Sequence, residues 1–209
     1  MLRILIADDH SVVRKGLRQI LLDEFPTAEI VEVDDAETLI QKVMTAKWDV
    51  VVSDLAMPGR SGLDALQQIK ISHPNLPVLI LSIHPEEQYA LRALKSGASG
   101  YLSKDTAPDE LVKAVQRVLL GKKYIPQGIA EKLAGTFSSD TLHNLHDSLS
   151  DREFDVMKLL ANGKSVSEIA DMLSLSVTTL STYRTRIMAK MNLKSNSDLT
   201  RYAIENKLI

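Results

Sequence analysis

The sequence predicts an α/β doubly wound, five-stranded parallel sheet followed by a small all-α domain. Three observations carry that prediction. Short apolar runs alternate with helix-period segments five times in residues 1–121, the alternation stops after Gly121, and residues 149–209 hold no strand pattern. In chain order, "LRILIA" is a strand, and Val12, Val13, Leu17, Ile20 and Leu21 recur at helical spacing behind it. "EIVEV" and "AETLIQKVMTA" form the second pair, "WDVVVS" and "GLDALQQIKIS" the third, and "PVLILS" and "EEQYALRALKSG" the fourth. "SGYLSK" and "APDELVKAVQRVLLG" are the fifth, with Pro108 in the first turn and Gly121 past the end of the last helix.

Composition narrows the function classes. There is no cysteine, which excludes a disulfide framework, a thiolate metal site and a thiol nucleophile. Asp8 and Asp9 interrupt the N-terminal apolar run, so it does not read as a signal peptide. No apolar run approaches the roughly 20 residues that span a bilayer, and a cytoplasmic protein without a membrane partner is expected. Net charge is −2 but unevenly spread. Residues 1–121 carry 13 Lys+Arg against 17 Asp+Glu, whereas from Ser181 onward the count is 6 against 2. An acidic front and a basic tail point to an anionic partner for the tail.

Ligands of open parallel sheets collect at the carboxyl ends of the strands, near a topological switch point. Here those ends carry Asp8 and Asp9, Asp54, Ser82 and Lys104, drawn from four separate stretches. Each alone has an ordinary reading, as a turn former, a helix cap or a surface charge; Asp8 or Asp9, for example, could cap the helix starting near His10. Together they share one chemistry. Three converging carboxylates need a cation, and all-oxygen ligation with remaining waters suits Mg2+. A metal ion beside Lys104 and Ser82 neutralises a phosphoryl group, and a carboxylate serves as its acceptor. Asp54, at the end of the central strand, is the candidate acceptor, with Asp8 and Asp9 as metal ligands.

With "ADDH", "SDLAMPG", "LILS", "GYLSK" and Lys104 in hand, residues 1–121 resemble the receiver domain of a bacterial two-component response regulator, a flavodoxin-like fold. The resemblance implies that Asp54 takes phosphate from a sensor histidine kinase in a Mg2+-dependent step, with Mn2+ as the alternative ion. It implies Ser82 and Tyr101 as the switch pair, Lys104 on the phosphoryl oxygens, and the backbone carbonyl of Ala56 as a further metal ligand. Ala56 offers no polar side chain to orient an attacking water, which predicts a comparatively long-lived aspartyl phosphate; His84 is a candidate partial substitute.

Residues 122–147 read as a linker with a short helix at "IAEKLAG". His143 and His146 stand at i, i+3 there, but with no third ligand near in sequence a metal site is not expected. Residues 148–209 form the second domain. Ser150 with Glu153, and Ser165 with Glu168, are capping boxes for two helices. The turn "SLS" leads to a longer helix from Val177 to near Asn192, and Ser195 or Asn196 opens a last one. A short helix, a tight turn and a longer helix make a helix-turn-helix, whose second member enters the DNA major groove. On that member Leu180, Tyr183, Ile187 and Met191 share a core face. Thr178, Ser181, Thr182, Thr185 and Ala189 lie opposite, Arg184, Arg186 and Lys190 flank them, and Lys194 follows. The helix has no acidic residue, and small hydroxyl residues between flanking cations suit a groove lined by phosphates.

"LSDRE", "LLANGKSVSEIADML" and "SVTTLSTYRTRIMAKM" resemble the LuxR/GerE-type DNA-binding domain. The two halves together resemble the NarL/FixJ branch of response regulators. That resemblance implies a phosphorylation-switched transcription factor that dimerises on promoter DNA, with RNA polymerase as a further candidate partner and no turnover of a substrate. Two rivals remain at this stage. One is a phosphatase or dehalogenase-type hydrolase, which usually keeps a second Asp where Ala56 stands; the other is a constitutive DNA-binding protein whose first domain only dimerises.

Overall fold

The computed structural model describes residues 1–83, 86–125, 129–130 and 144–209. His84, His143 and most of the short helix expected at "IAEKLAG" lie outside the described residues. Met1–Ser139 form one compact unit and Asp140–Ile209 a second.

The first unit alternates β1 (Arg3–Ala7), α1 (Ser11–Glu24), β2 (Glu29–Val33), α2 (Ala36–Thr45), β3 (Val50–Asp54), α3 (Gly62–Ser72), β4 (Val78–Ser82), α4 (Glu86–Lys95), β5 (Gly100–Ser103) and α5 (Ala107–Leu119). All five strands are parallel, in the order β2-β1-β3-β4-β5. Strand side chains alternate between faces. Ile4, Ile6, Val50, Val52, Leu79 and Leu81 therefore pack with Leu17 and Leu21 of α1 and Leu111, Val115 and Val118 of α5. Leu5, Val51 and Ile80, also fully buried, belong to the opposite face. Burying each such side chain contributes on the order of 2 kcal/mol, so helices on both faces are what these two-sided apolar strands require. The register Ala7↔Ser53, Asp54↔Leu81 and Ser82↔Ser103 brings the ends of β1, β3, β4 and β5 to one edge. A one-residue slip would turn every buried side chain to the wrong face, which pins that register.

The turn between β3 and α3 fixes the end of the central strand. Gly62 donates its N–H to Leu55 O at 2.8 Å. A Cβ on Gly62 would overlap the carbonyl of Asp54 and come within 3.2 Å of Leu55 Cα. Only glycine lets the start of α3 approach β3 this closely. Ser61 then caps α3 through a reciprocal box with Asp64, its Oγ accepting Asp64 N–H at 3.1 Å.

The second unit is helical. A 3-10 turn (Leu145–Ser148) precedes α6 (Asp151–Ala161), α7 (Val166–Met172), α8 (Val177–Lys190) and α9 (Asn196–Glu205). Both expected capping boxes are present: Ser150 N donates to Glu153 Oε2 at 2.7 Å, and Ser165 N to Glu168 Oε2 at 2.7 Å. Phe154, Met157, Leu160, Ile169, Leu180, Ile187, Met191 and Leu199 are buried. Tyr183, expected among them, is partly exposed. The turn between α7 and α8 reverses through Ser174, whose φ is 53°. His146 lies in the 3-10 turn with Nδ1 at 2.8 Å from Tyr202 Oη.

Glu153 is buried at 3% exposure. Burial opposes its charge, yet the Lys190 ammonium and the N–H and hydroxyl of Ser150 outweigh it and hold the carboxyl below its ordinary range. With the folded value depressed, this stabilisation is present above the unfolded glutamate pKa of about 4.3 and is lost as pH falls through the folded value. In Lys190→Met the Glu153 carboxyl, with the Ser150 groups as its remaining partners, titrates at higher pH than in wild type, which a side-chain carboxyl NMR titration reads directly. Trp48, the single tryptophan, lies in the first unit and reports its unfolding by fluorescence. Gly62→Ala lowers the stability read this way by roughly 2 kcal/mol or more. Gly16→Ala does not lower it, because nothing lies within 4 Å of that Cβ.

Candidate functional site

β1 has β2 on one side and β3 on the other, so the chain leaves it in opposite directions and a crevice opens beyond its end. Asp8 and Asp9 follow β1, Asp54 ends β3, and Lys104 follows β5, where its backbone N–H donates to Ser82 O at 2.9 Å. The ammonium of Lys104 reaches back across the edge to lie 2.7 Å from Asp8 Oδ2 and 2.8 Å from Asp54 Oδ2. The other oxygen of Asp54 accepts the backbone N–H of Ala56 at 3.3 Å. Asp8 Oδ1 accepts the N–H of His10 at 2.8 Å. No side chain caps α1, which removes helix capping as the reason for the acid pair.

Asp8, Asp9, His10 and Asp54 each offer one ligand atom, and these atoms lie within 4.8 Å of one another. Three carboxylates against one lysine leave two negative charges, the charge of one divalent cation. Asp8 Oδ2, fully buried, has the Lys104 ammonium at 2.7 Å and keeps a second lone pair for another partner. Oxygen donors and charge balance fit a hard divalent ion. Burial raises the Asp54 carboxyl above its ordinary range, and Asp8 adds to that; Lys104 and the Ala56 N–H work against it. Burial lowers the basicity of Lys104, but hydrogen bonding and charge from Asp54 and Asp8 outweigh it, so the ammonium is held more firmly than in water.

Ser82 ends β4 and is buried, one residue beyond the pairing partner of Asp54. Tyr101 lies within β5 opposite Ile80 and is fully buried. Three residues that matter to the geometry escaped the sequence reading. Gly62 sits against the carbonyl of Asp54. His10 brings Nδ1 to 2.7 Å from Asp9 Oδ1. Arg14 donates from Nη1 to Asp8 O at 2.5 Å and places Nε 3.6 Å from Glu32 Oε2, tying the loop that carries the acids to β2. The signal for Arg14 was one basic residue a helical turn past the acid pair, too weak to single out.

In the second unit, Thr178, Ser181, Thr182, Thr185, Arg186 and Lys194 are exposed along α8 and just beyond it. Thr182 and Thr185 donate their hydroxyl protons to the carbonyls of Thr178 and Ser181, at 3.1 and 3.0 Å. They therefore present methyl groups and acceptor lone pairs outward. Arg184 is partly buried, with Nε donating to Asn196 Oδ1 at 3.1 Å. Lys190, expected beside them as a phosphate contact, has its ammonium 2.6 Å from Glu153 Oε2.

Comparison with known proteins agrees with this division. Residues 4–116 match the model of the response regulator receiver domain, and residues 147–203 match that of the luxR family of bacterial regulatory proteins. The chain is 35% identical over 209 residues to the response regulator UvrY of Escherichia coli (strain K12), covering all of this chain and 96% of that protein. It is 37% identical over 215 residues to the oxygen regulatory protein NreC of Staphylococcus carnosus, covering all of this chain and 99% of that one. The structure of RcsB from Salmonella enterica serovar Typhimurium, bound to a promoter in the presence of phosphomimetic BeF3−, superposes with a TM-score of 0.59. Sequence identity there is 28%, over 96% of this chain and 97% of RcsB. A receiver fold with an acid cluster and a lysine at its switch point, followed by a luxR-type helix-turn-helix, makes this chain a two-component response regulator of the NarL/FixJ family.

Proposed function

We propose that Asp54 accepts a phosphoryl group from a sensor histidine kinase, and that this switches dimerisation and promoter binding. The observation that carries the reading is the Lys104 ammonium seated between the buried carboxylates of Asp8 and Asp54. In the transfer, the donor's N–P bond breaks and a bond from an Asp54 carboxylate oxygen to phosphorus forms. Lys104 exchanges its contact with Asp54 for the incoming phosphoryl oxygens, while Asp8 keeps it aimed into the site. Asp8, Asp9, Asp54 and the backbone carbonyl of Ala56 are the residues that would hold Mg2+, or Mn2+. The ion supplies charge neutralisation for the phosphoryl oxygens. The receiver thus promotes its own phosphorylation and dephosphorylation and turns over no separate substrate. Ser82, at the same strand edge, and Tyr101, buried in the neighbouring strand β5, are the switch pair.

In this reading residues 1–121 are the receiver, 122–147 the linker and 148–209 the DNA-binding domain of a cytoplasmic protein. α8 reads the major groove of promoter DNA. Thr178, Ser181, Thr182 and Thr185 face the base edges, and Arg184, Arg186 and Lys194 face phosphates. The outward methyls favour thymine contacts and DNA shape over guanine readout by arginine. A dimer suits paired half-sites about one helical turn apart, as in other helix-turn-helix dimers. The RcsB complex with promoter DNA, at 28% identity, supports DNA as the partner. RNA polymerase is a further partner in this scheme.

Intact-mass analysis after incubation with acetyl phosphate and Mg2+, with size measured alongside, tests the first step. Wild type gains one phosphoryl group and shifts toward dimer, and Asp54→Asn gains none. Labelling of Asp54→Asn, or no labelling of wild type where a control receiver is labelled, overturns the assignment. Lys104→Ala slows labelling by roughly 100-fold to 1,000-fold, the usual cost of removing one preorganised charge from a transition state. Ala56→Asn shortens the lifetime of the aspartyl phosphate, followed by loss of the added mass after the donor is removed, because its amide can orient an attacking water.

A further inference from the structure

Among the described residues of the second unit, Glu153 is the one charged residue that is buried. It stands in the first turn of α6, and Lys190 in the last turn of α8. Glu153 Oε2 accepts the Ser150 N–H at 2.7 Å and lies 2.6 Å from Lys190 Nζ, while Glu153 N donates to Ser150 Oγ at 3.3 Å. Each charge also complements the dipole of its own helix, the acid at an N-terminus and the ammonium at a C-terminus. A buried carboxylate deprived of its cation is strongly disfavoured. The ammonium therefore cannot leave for a DNA phosphate without abandoning Glu153. Lys190, Arg186 and Lys194 are all exposed; among the described residues Lys190 has an ion pair, with Glu153, and the other two have none.

We propose that Lys190 is a positioning residue of the DNA-reading helix and not a phosphate contact. Leu180, Ile187 and Met191 seat α8 by one buried apolar stripe. The charged pair adds a polar tether from the C-terminal end of α8 to the start of α6, and so helps hold the direction in which Thr178, Ser181, Thr182 and Thr185 point. The inference rests on α8 being the helix that reads DNA.

The test uses the full-length chain and a duplex selected from a random pool by wild type, with affinity measured across a salt series and folding checked by circular dichroism. Lys190→Met and Glu153→Gln each weaken specific binding by roughly tenfold. Neither changes the slope of log K against log salt. The double variant binds no worse than the weaker single one, because both remove the same pair. Lys190→Arg rescues binding, since a guanidinium also holds a carboxylate.

A phosphate contact gives the opposite pattern. Lys190→Met then lowers the salt slope by about one, and Glu153→Gln leaves binding unchanged or strengthens it by freeing the ammonium; that result overturns the proposal. Single variants that fold less stably yet bind as wild type per folded molecule also overturn it, by showing a role in stability alone. If a single variant fails to fold, the neutral double variant Glu153→Gln/Lys190→Met and Lys190→Arg still decide between the patterns. A wild type that selects no duplex overturns the DNA-reading assignment and this inference with it.

Discussion

The ammonium of Lys104, held between two carboxylates that have almost no access to water, is the interaction around which the receiver is arranged. Nothing local places it there. Lys104 lies 50 residues from Asp54 along the chain, and the two meet because parallel strands in a pinned register end at one edge. Each piece of the surrounding structure serves that meeting. Gly62 lets the β3–α3 turn close against the carbonyl of Asp54, and Arg14 ties the loop of Asp8 and Asp9 to β2.

The electrostatics of the cluster are deliberately unbalanced. Two carboxylates with one lysine form a tolerable buried triad, but Asp9 adds a third negative charge at its rim. A buried excess of charge is costly unless something neutralises it, and the cheapest remedy is a mobile divalent cation. The same excess of negative charge is what makes the proposed phosphoryl transfer depend on a bound cation.

The second unit uses a buried charge differently. Glu153 is buried with the Lys190 ammonium and the Ser150 N–H on its carboxylate, so the pair connects the start of α6 to the end of α8. The seam of Leu, Ile and Met supplies the adhesion of α8, and the pair adds one polar tether between α6 and α8.

The sequence by itself determined the alternation of five strands and five helices, the capping boxes at Ser150 and Ser165, and the strand-end acids with Lys104. These are signals of period and local hydrogen bonding, which a few neighbouring residues are enough to express. It also exposed the hydroxyl face of α8, because a helix converts spacing directly into direction. What only the tertiary structure decided is which partner each charge takes. Lys190 flanks the hydroxyl face of α8 by helical spacing, yet its ammonium lies against a buried glutamate 37 residues away. Tyr183 fell on the apolar stripe by period but lies where the core has already ended. Gly62, His10 and Arg14 gained their roles from a close backbone approach and from carboxylates turned toward them. Period and local hydrogen bonding are properties of neighbouring residues, while charge pairing depends on distances set only once the elements have packed.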